Sequence, residues 1–168
     1  MRAILSADEH WGIGRENRLL VRIPQDMKYF RNETVGKAVI MGRKTLESFP
    51  GGRPLEGRLN VVLTRNGNYR VKGAVVVHSV EAALEAVREY APEDVYCIGG
   101  SSVYRLFLPC CDTVFVTRIQ YSYEADAYFP DLDALPEWRL VGRSEEQTYF
   151  DLAYEFCRYE RVGREQKP

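Results

Sequence analysis

Short apolar runs alternate with stretches of helical spacing along the whole chain. Ala3–Ala7 reads as a buried strand, followed by a glycine-bearing loop through Trp11-Gly12-Ile13-Gly14. A helix is expected over about Pro24–Asn32, with proline at its first position. Ala38–Met41 is a strand, then Gly42 and a short helix near Arg43–Ser48. Leu59–Thr64 and Ala74–Val77 are further strands. Val80, Ala83, Leu84 and Val87 fit the 3.6 period of a helix over Val80–Glu89. Val95–Ile98 is a strand, and Gly99-Gly100 leads into a helix near Ser102–Leu108. Thr113–Ile119 is another strand. Arg139–Ser144 and Thr148–Arg161 alternate as a terminal antiparallel pair.

This order predicts an α/β fold. Its central sheet is mixed and mostly parallel, flanked by helices, with an antiparallel C-terminal strand pair. No repeat or linker interrupts it, so residues 1–162 read as one domain and 163–168 as a frayed tail.

Composition narrows the class. The chain has 168 residues, 45% hydrophobic and 28% charged, an ordinary globular balance. A formal net charge of -1 gives nucleic acid no support as the main partner. No apolar run reaches membrane-spanning length, and the start turns polar at Asp8, too early for a signal peptide. A cytoplasmic protein is expected. Cys97, Cys110, Cys111 and Cys157 lack metal-ligand spacing and read as reduced, mostly buried thiols; no metal is expected.

One acid breaks the apolar pattern. On the first helix Ile23, Met27 and Phe30 share a face, and Asp26 lies at its edge. A carboxylate beside an apolar stripe is costly unless it is paired. Asp26 is also well placed to interact with the helix dipole, which by itself explains an acid in a first turn. A ligand partner is the alternative.

Two strand-glycine-helix junctions add a second theme, Val39-Ile40-Met41-Gly42-Arg43-Lys44-Thr45 and Tyr96-Cys97-Ile98-Gly99-Gly100-Ser101-Ser102-Val103. Each can present free N–H groups to phosphate at the carboxyl end of a strand. Neither matches the dinucleotide fingerprint, and a glycine pair alone is often just a turn. Arg43, Lys44 and Arg65 supply more charge than a pyrophosphate needs, hinting at an extra phosphate as on NADPH; solvated surface charge is the bland alternative.

Together these residues resemble the dihydrofolate reductase family over nearly the whole chain. The resemblance is carried by Gly12-Ile13-Gly14, Ile23-Pro24-x-Asp26-Met27, Met41-Gly42-Arg43-Lys44-Thr45, Gly52-Arg53-Pro54-Leu55 with Arg58, Ile98-Gly99-Gly100, Val116-Thr117, and Asp126 followed by Phe129-Pro130. It implies NADPH-dependent reduction of 7,8-dihydrofolate to tetrahydrofolate, supporting one-carbon metabolism, by a monomer that antifolates inhibit. Asp26 matches the acid that binds the pterin, and Thr117 its hydrogen-bond partner. The carbonyls of Ile4 and Ile98 match those lining the pterin site. Met27, Phe30, Phe49 and Leu55 match its apolar walls, and Arg58 the cation that receives the glutamate α-carboxylate.

On the cofactor side, the resemblance sets Ala7, Ile13 and Gly14 near the nicotinamide. Gly42, Arg43, Lys44, Thr45, Leu63, Thr64 and Arg65 fall in the region of the phosphates and adenosine. Gly99, Gly100, Ser101, Ser102, Val103 and Tyr104 form the pyrophosphate cradle and its helix, with Tyr104 also near the substrate and a cis Gly99–Gly100 peptide. The loop 12–22 is expected to close over the site. The chain departs from the family where many relatives have Leu-Pro-Trp before the first helix; here Leu19-Leu20-Val21 stands, which implies a less tightly walled pocket. Ser6 also replaces the usual Ala. Two rivals remain: a reductase of a ribosylaminopyrimidine in riboflavin synthesis on the same fold, and a non-catalytic nucleotide-binding module.

Overall fold

The computed structural model describes residues 1–163. Its strands are β1 (Arg2–Ala7), β2 (Gly12–Gly14), β3 (Ala38–Gly42), β4 (Leu59–Leu63), β5 (Val75–Val77), β6 (Val95–Cys97), β7 (Thr113–Ile119), β8 (Ala127–Tyr128), β9 (Trp138–Arg143), β10 (Gln147–Tyr149) and β11 (Leu152–Arg161). The helices are α1 (Pro24–Thr34), α2 (Arg43–Glu47), α3 (Val80–Ala86) and α4 (Ser101–Phe107). The sheet runs β10-β11-β7-β1-β6-β3-β4-β5, with β9 also paired to β11. From β7 to β5 every pairing is parallel; β11 pairs antiparallel with β7, β9 and β10.

The β-branched runs of β3 and β4 are buried because helices cover both sheet faces. Ala83 and Val87 from the α3 region and Val103 and Phe107 from α4 pack on one face. Leu46 of α2 and Tyr29 and Phe30 of α1 pack on the other.

The expected architecture is present, with local differences. Gly12–Gly14, expected as loop, is a short strand paired with β8. The stretch 148–161, expected as one strand, is split. Phe150 adopts a left-handed φ of 52° and turns the chain from β10 into β11. No Gly, Pro or Asn marks that turn; Asp151 is its one turn-forming residue, set between apolar Phe150 and Leu152. Helix α1 runs two residues beyond expectation because Thr34 is buried and returns its hydroxyl to the Phe30 carbonyl at 2.8 Å. Helix α3 ends at Ala86, three residues early, after starting on a Ser79 cap that accepts from the Ala82 N–H. The expected tail falls on 164–168, outside the described residues, apart from Gly163.

Candidate active site

The stripe Ile23, Asp26, Tyr29 of α1 lies against the strand pair β7/β11. Ile23 packs on Ile119 and Tyr154, and the Tyr29 ring centroid lies 4.6 Å from that of Phe156. Between these contacts the Thr117 hydroxyl donates to Asp26 Oδ1 at 2.6 Å. Burial pushes the Asp26 carboxyl above the usual range, and the Thr117 bond opposes that push. Asp26 therefore sits in the first turn, as a dipole partner would, but in a setting that makes its charge expensive. The rest of the apolar stripe is not core. Met27 is 40% exposed and, with half-buried Phe30, forms a wall of an open cleft.

That cleft has a volume of about 460 Å³. Ile4, Phe49, Leu55 and Ile98 complete its apolar lining, and Asp26 is the one acid among its described lining residues. Tyr104 reaches in from α4, its hydroxyl donating to the Ile4 carbonyl at 2.8 Å; burial holds its phenol well above the ordinary value. Arg58 stands at the rim, anchored by Nε to the Glu56 carbonyl (2.9 Å) and by a terminal nitrogen to the Thr34 hydroxyl (3.2 Å). Burial, and then the neighbouring Arg31, lower its pKa. Buried Asn60 shapes the turn before it, accepting from the Leu55 N–H and donating to the carbonyls of Leu55 and Arg58 at 2.9–3.0 Å.

A second cleft of about 540 Å³ opens at the carboxyl ends of β3 and β4. It is lined by Gly42, Arg43, Lys44, Thr45, Leu63, Thr64 and Arg65 on one side and by Gly100, Ser102 and Val103 on the other. The Gly99–Gly100 peptide is cis, as expected, and Gly99 has φ 105°. A Cβ at Gly99 would meet the Tyr104 ring at 2.8 Å, and one at Gly42 would meet Val103 at 3.1 Å. Both junctions are thus cradles that only glycine leaves open. With three cations at the mouth, the donor set fits a large polyanionic cofactor. Arg43 is partly engaged, 3.7 Å from Glu47 and 5.8 Å from the Tyr69 ring.

The remaining expected residues divide. Ile13 and Gly14 line the first cleft, while Gly99 and Ser101 lie behind the linings of both. Ala7 is buried in the core on the opposite sheet face, and Ser6 lines the cleft instead, directly across from Thr117. Val21 does not line the cleft; it packs beside Ile23, Ile119 and Tyr154. Residues not anticipated include Arg31, Ser6 and Asn60. A basic residue one turn after Met27 was the available signal for Arg31; nothing in the sequence distinguishes Asn60.

The loop over the cleft is fastened to the 121–126 segment. The Asp126 N–H donates to the Gly14 carbonyl at 3.0 Å, and the Glu16 N–H donates to Asp126 Oδ2 at 2.9 Å. An Arg15–Glu124 ion pair adds to these. Asn17 donates to the Lys44 carbonyl at 3.0 Å, tying the loop to the second cleft.

Comparison with known proteins agrees with this geometry. A family model described as dihydrofolate reductase matches residues 1–161. The chain is 36% identical to the dihydrofolate reductase of Staphylococcus haemolyticus over 163 residues, covering 95% of this chain and 94% of that protein. It is 36% identical to the Bacillus subtilis (strain 168) enzyme over 162 residues, covering 94% and 92%. A solved dihydrofolate reductase from Enterococcus faecalis, complexed with NADP(H) and RAB-propyl, superposes with a TM-score of 0.85 at 34% identity, covering 96% of each chain.

Proposed function

Because the chain belongs to the dihydrofolate reductase family, we propose that the cleft around Asp26 receives dihydrofolate, that the glycine cradles hold NADPH, and that Asp26 is the catalytic acid. The protein is an NADP-dependent oxidoreductase that reduces 7,8-dihydrofolate to tetrahydrofolate by hydride transfer to pterin C6 and protonation at N5. The observation that carries the site reading is a half-buried carboxylate held by one hydroxyl in a cleft with no other acid among its described lining residues.

NADPH supplies the hydride when bound. The protein's tasks are to align, to exclude water and to manage one proton. Asp26 Oδ2, left free by the Thr117 bond to Oδ1, faces N–H donors on the pterin. Its negative charge favours the protonated ring, and water carries the proton to N5. Ile4 and Ile98 flank the ring through their carbonyls, and Met27, Phe30, Phe49 and Leu55 fix its plane. Arg58 takes the glutamate α-carboxylate, with Arg31 beside it as a second cation. Arg43, Lys44 and Arg65 meet the phosphates, Thr45 and Thr64 add hydroxyls, and Ile13 and Gly14 border the nicotinamide end.

Antifolates are expected in the same cleft. Residues 1–162 form one catalytic domain working as a cytoplasmic monomer in this reading. No helix among the described residues is long and apolar enough to cross a membrane.

The test is NADPH oxidation followed spectrophotometrically with dihydrofolate. Wild-type protein turns over, and Asp26→Asn, which keeps the shape and loses the charge, falls by about 10²-fold or more at neutral pH. Near-normal turnover of Asp26→Asn would return Asp26 to a dipole role.

A further inference from the structure

One hydroxyl on the floor of the Asp26 cleft has no task in the reading above. Alternation along β1 turns Ala3, Leu5 and Ala7 into the core on one sheet face, and Ile4 and Ser6 to the other. Ser6 is half-buried and lines the cleft together with Asp26. In register it lies directly across from Thr117 on β7, so the two side chains stand side by side, about 4.8 Å apart by the spacing of strands. Thr117 is buried and spends its proton on Asp26 Oδ1 at 2.6 Å. Ser6 is thus the cleft-facing neighbour of the group that holds the acid. Of the other hydroxyls in the lining, Ser48 donates to the Thr45 carbonyl and Tyr104 to the Ile4 carbonyl, while Thr45 borders the second cleft as well; Ser6 has no such tie among the described residues and opens on the first cleft alone. It occupies a position where the family usually has Ala, so it is a polar group that this chain adds.

We propose that Ser6 is a specificity-determining residue for the reaction, its oxygen accepting a hydrogen bond from the amino group of the bound pterin. The proposal rests on the reading of Asp26 as the acid that holds this ring. A carboxylate gripping the ring edge takes the ring N–H and one N–H of the adjacent amino group, in the two-point geometry it uses with any parallel pair of donors. An amino group has two N–H bonds, and the second points away from the carboxylate. Left unpaired in a desolvated cleft, that N–H subtracts from binding. Asp26 is the one acid among the described lining residues, Thr117 is sealed behind it, and the Ile4 carbonyl already accepts from Tyr104. The Ser6 oxygen, beside Thr117 on the same face, is the side-chain acceptor that the floor presents next to the acid. A hydroxyl can accept there and keep its own proton for water. A methyl group offers no acceptor, so Ser6 makes the cleft read the amino group at two points instead of one.

Ser6→Ala removes the hydroxyl and leaves the strand position filled. The experiment measures the equilibrium Kd of wild-type and Ser6→Ala protein for two ligands by calorimetry without cofactor: dihydrofolate, and its analogue with hydrogen in place of the ring amino group. The expected result is that Ser6→Ala weakens dihydrofolate about threefold to tenfold, the worth of one net hydrogen bond, and leaves the amino-free analogue and NADPH unchanged. A residue that merely supported the fold would move both folates together. Equal losses for the two, or no loss for dihydrofolate, overturn the role of Ser6. Turnover of Asp26→Asn, measured alongside, separates the two readings. If it falls while Ser6→Ala treats both ligands alike, only the role of Ser6 is lost; if it stays near normal, the ring is not held at Asp26 and both are lost.

Discussion

Asp26 costs the fold stability, and the sign of that cost is set by its raised pKa. In the unfolded chain the carboxyl titrates near 3.8; in the folded protein it titrates higher, chiefly through burial. Below the unfolded value both states are protonated and there is no penalty. As pH rises through the window up to the folded value, the native state binds more protons than the unfolded one, so stability falls. Above that window the penalty is complete. Asp26→Asn therefore stabilises at neutral pH, with a melting temperature raised about 2–4 °C for each 1 kcal/mol relieved. The gain disappears in calorimetry below the unfolded value; a gain equal at both pH values would exclude desolvation as its source. Asp26 was legible in the sequence because an acid on the edge of an apolar stripe conflicts with its surroundings. Ser6 stood out in the sequence only as a departure from the family's usual Ala, and not as a residue facing the cleft.

Elements were legible wherever periodicity was long, and least so at short turns with weak signals. The β10–β11 reversal at Phe150 is marked in the sequence by Asp151 alone, between apolar neighbours, and three-residue β2 is too short to show a period. The segment from Leu55 to Asn60 illustrates a turn organised from outside its own pattern. Asn60 satisfies the Leu55 N–H and the carbonyls of Leu55 and Arg58 from a buried position. Asn60→Ala leaves these groups unpaired and lowers stability by about 2–4 kcal/mol in denaturant titration. Because the same turn carries Arg58, KM for dihydrofolate rises more than KM for NADPH; an equal rise would separate the turn from Arg58 placement. On the other side, the junction after β3 and the end of β4 present Arg43 and Arg65 at one mouth. Arg43→Ala with Arg65→Ala weakens NADPH about tenfold or more, roughly the worth of one charge-assisted bond, while NADH changes little. Equal losses for the two cofactors would show that these cations do not read the additional phosphate.

At the scale of the whole molecule, the fold class followed from the alternation of strands and helices, whereas the fastenings between distant segments did not. Asp8 is 1% exposed and accepts from the N–H groups of His10, Gly12 and Tyr123 at 2.8–2.9 Å. It joins the chain before the covering loop to the segment after β7, more than a hundred residues away, and in the sequence it looks like an ordinary loop acid. Asp8→Ala unpairs three backbone donors at once. The expected outcome is a loss of about 2–4 kcal/mol of stability and faster proteolytic nicking within 12–22; unchanged cleavage would mean the Asp126 contacts suffice to hold the loop. The two clefts themselves are not independent compartments, because Thr45 and Gly100 belong to the linings of both. A molecule settling in either one presses on a wall that the other also uses. Any factor by which NADPH alters the equilibrium affinity for dihydrofolate must equal the factor by which dihydrofolate alters that for NADPH. The coupling between its two ligands is therefore a single shared quantity, and any change of grip that an inhibitor in one cleft causes in the other obeys the same equality.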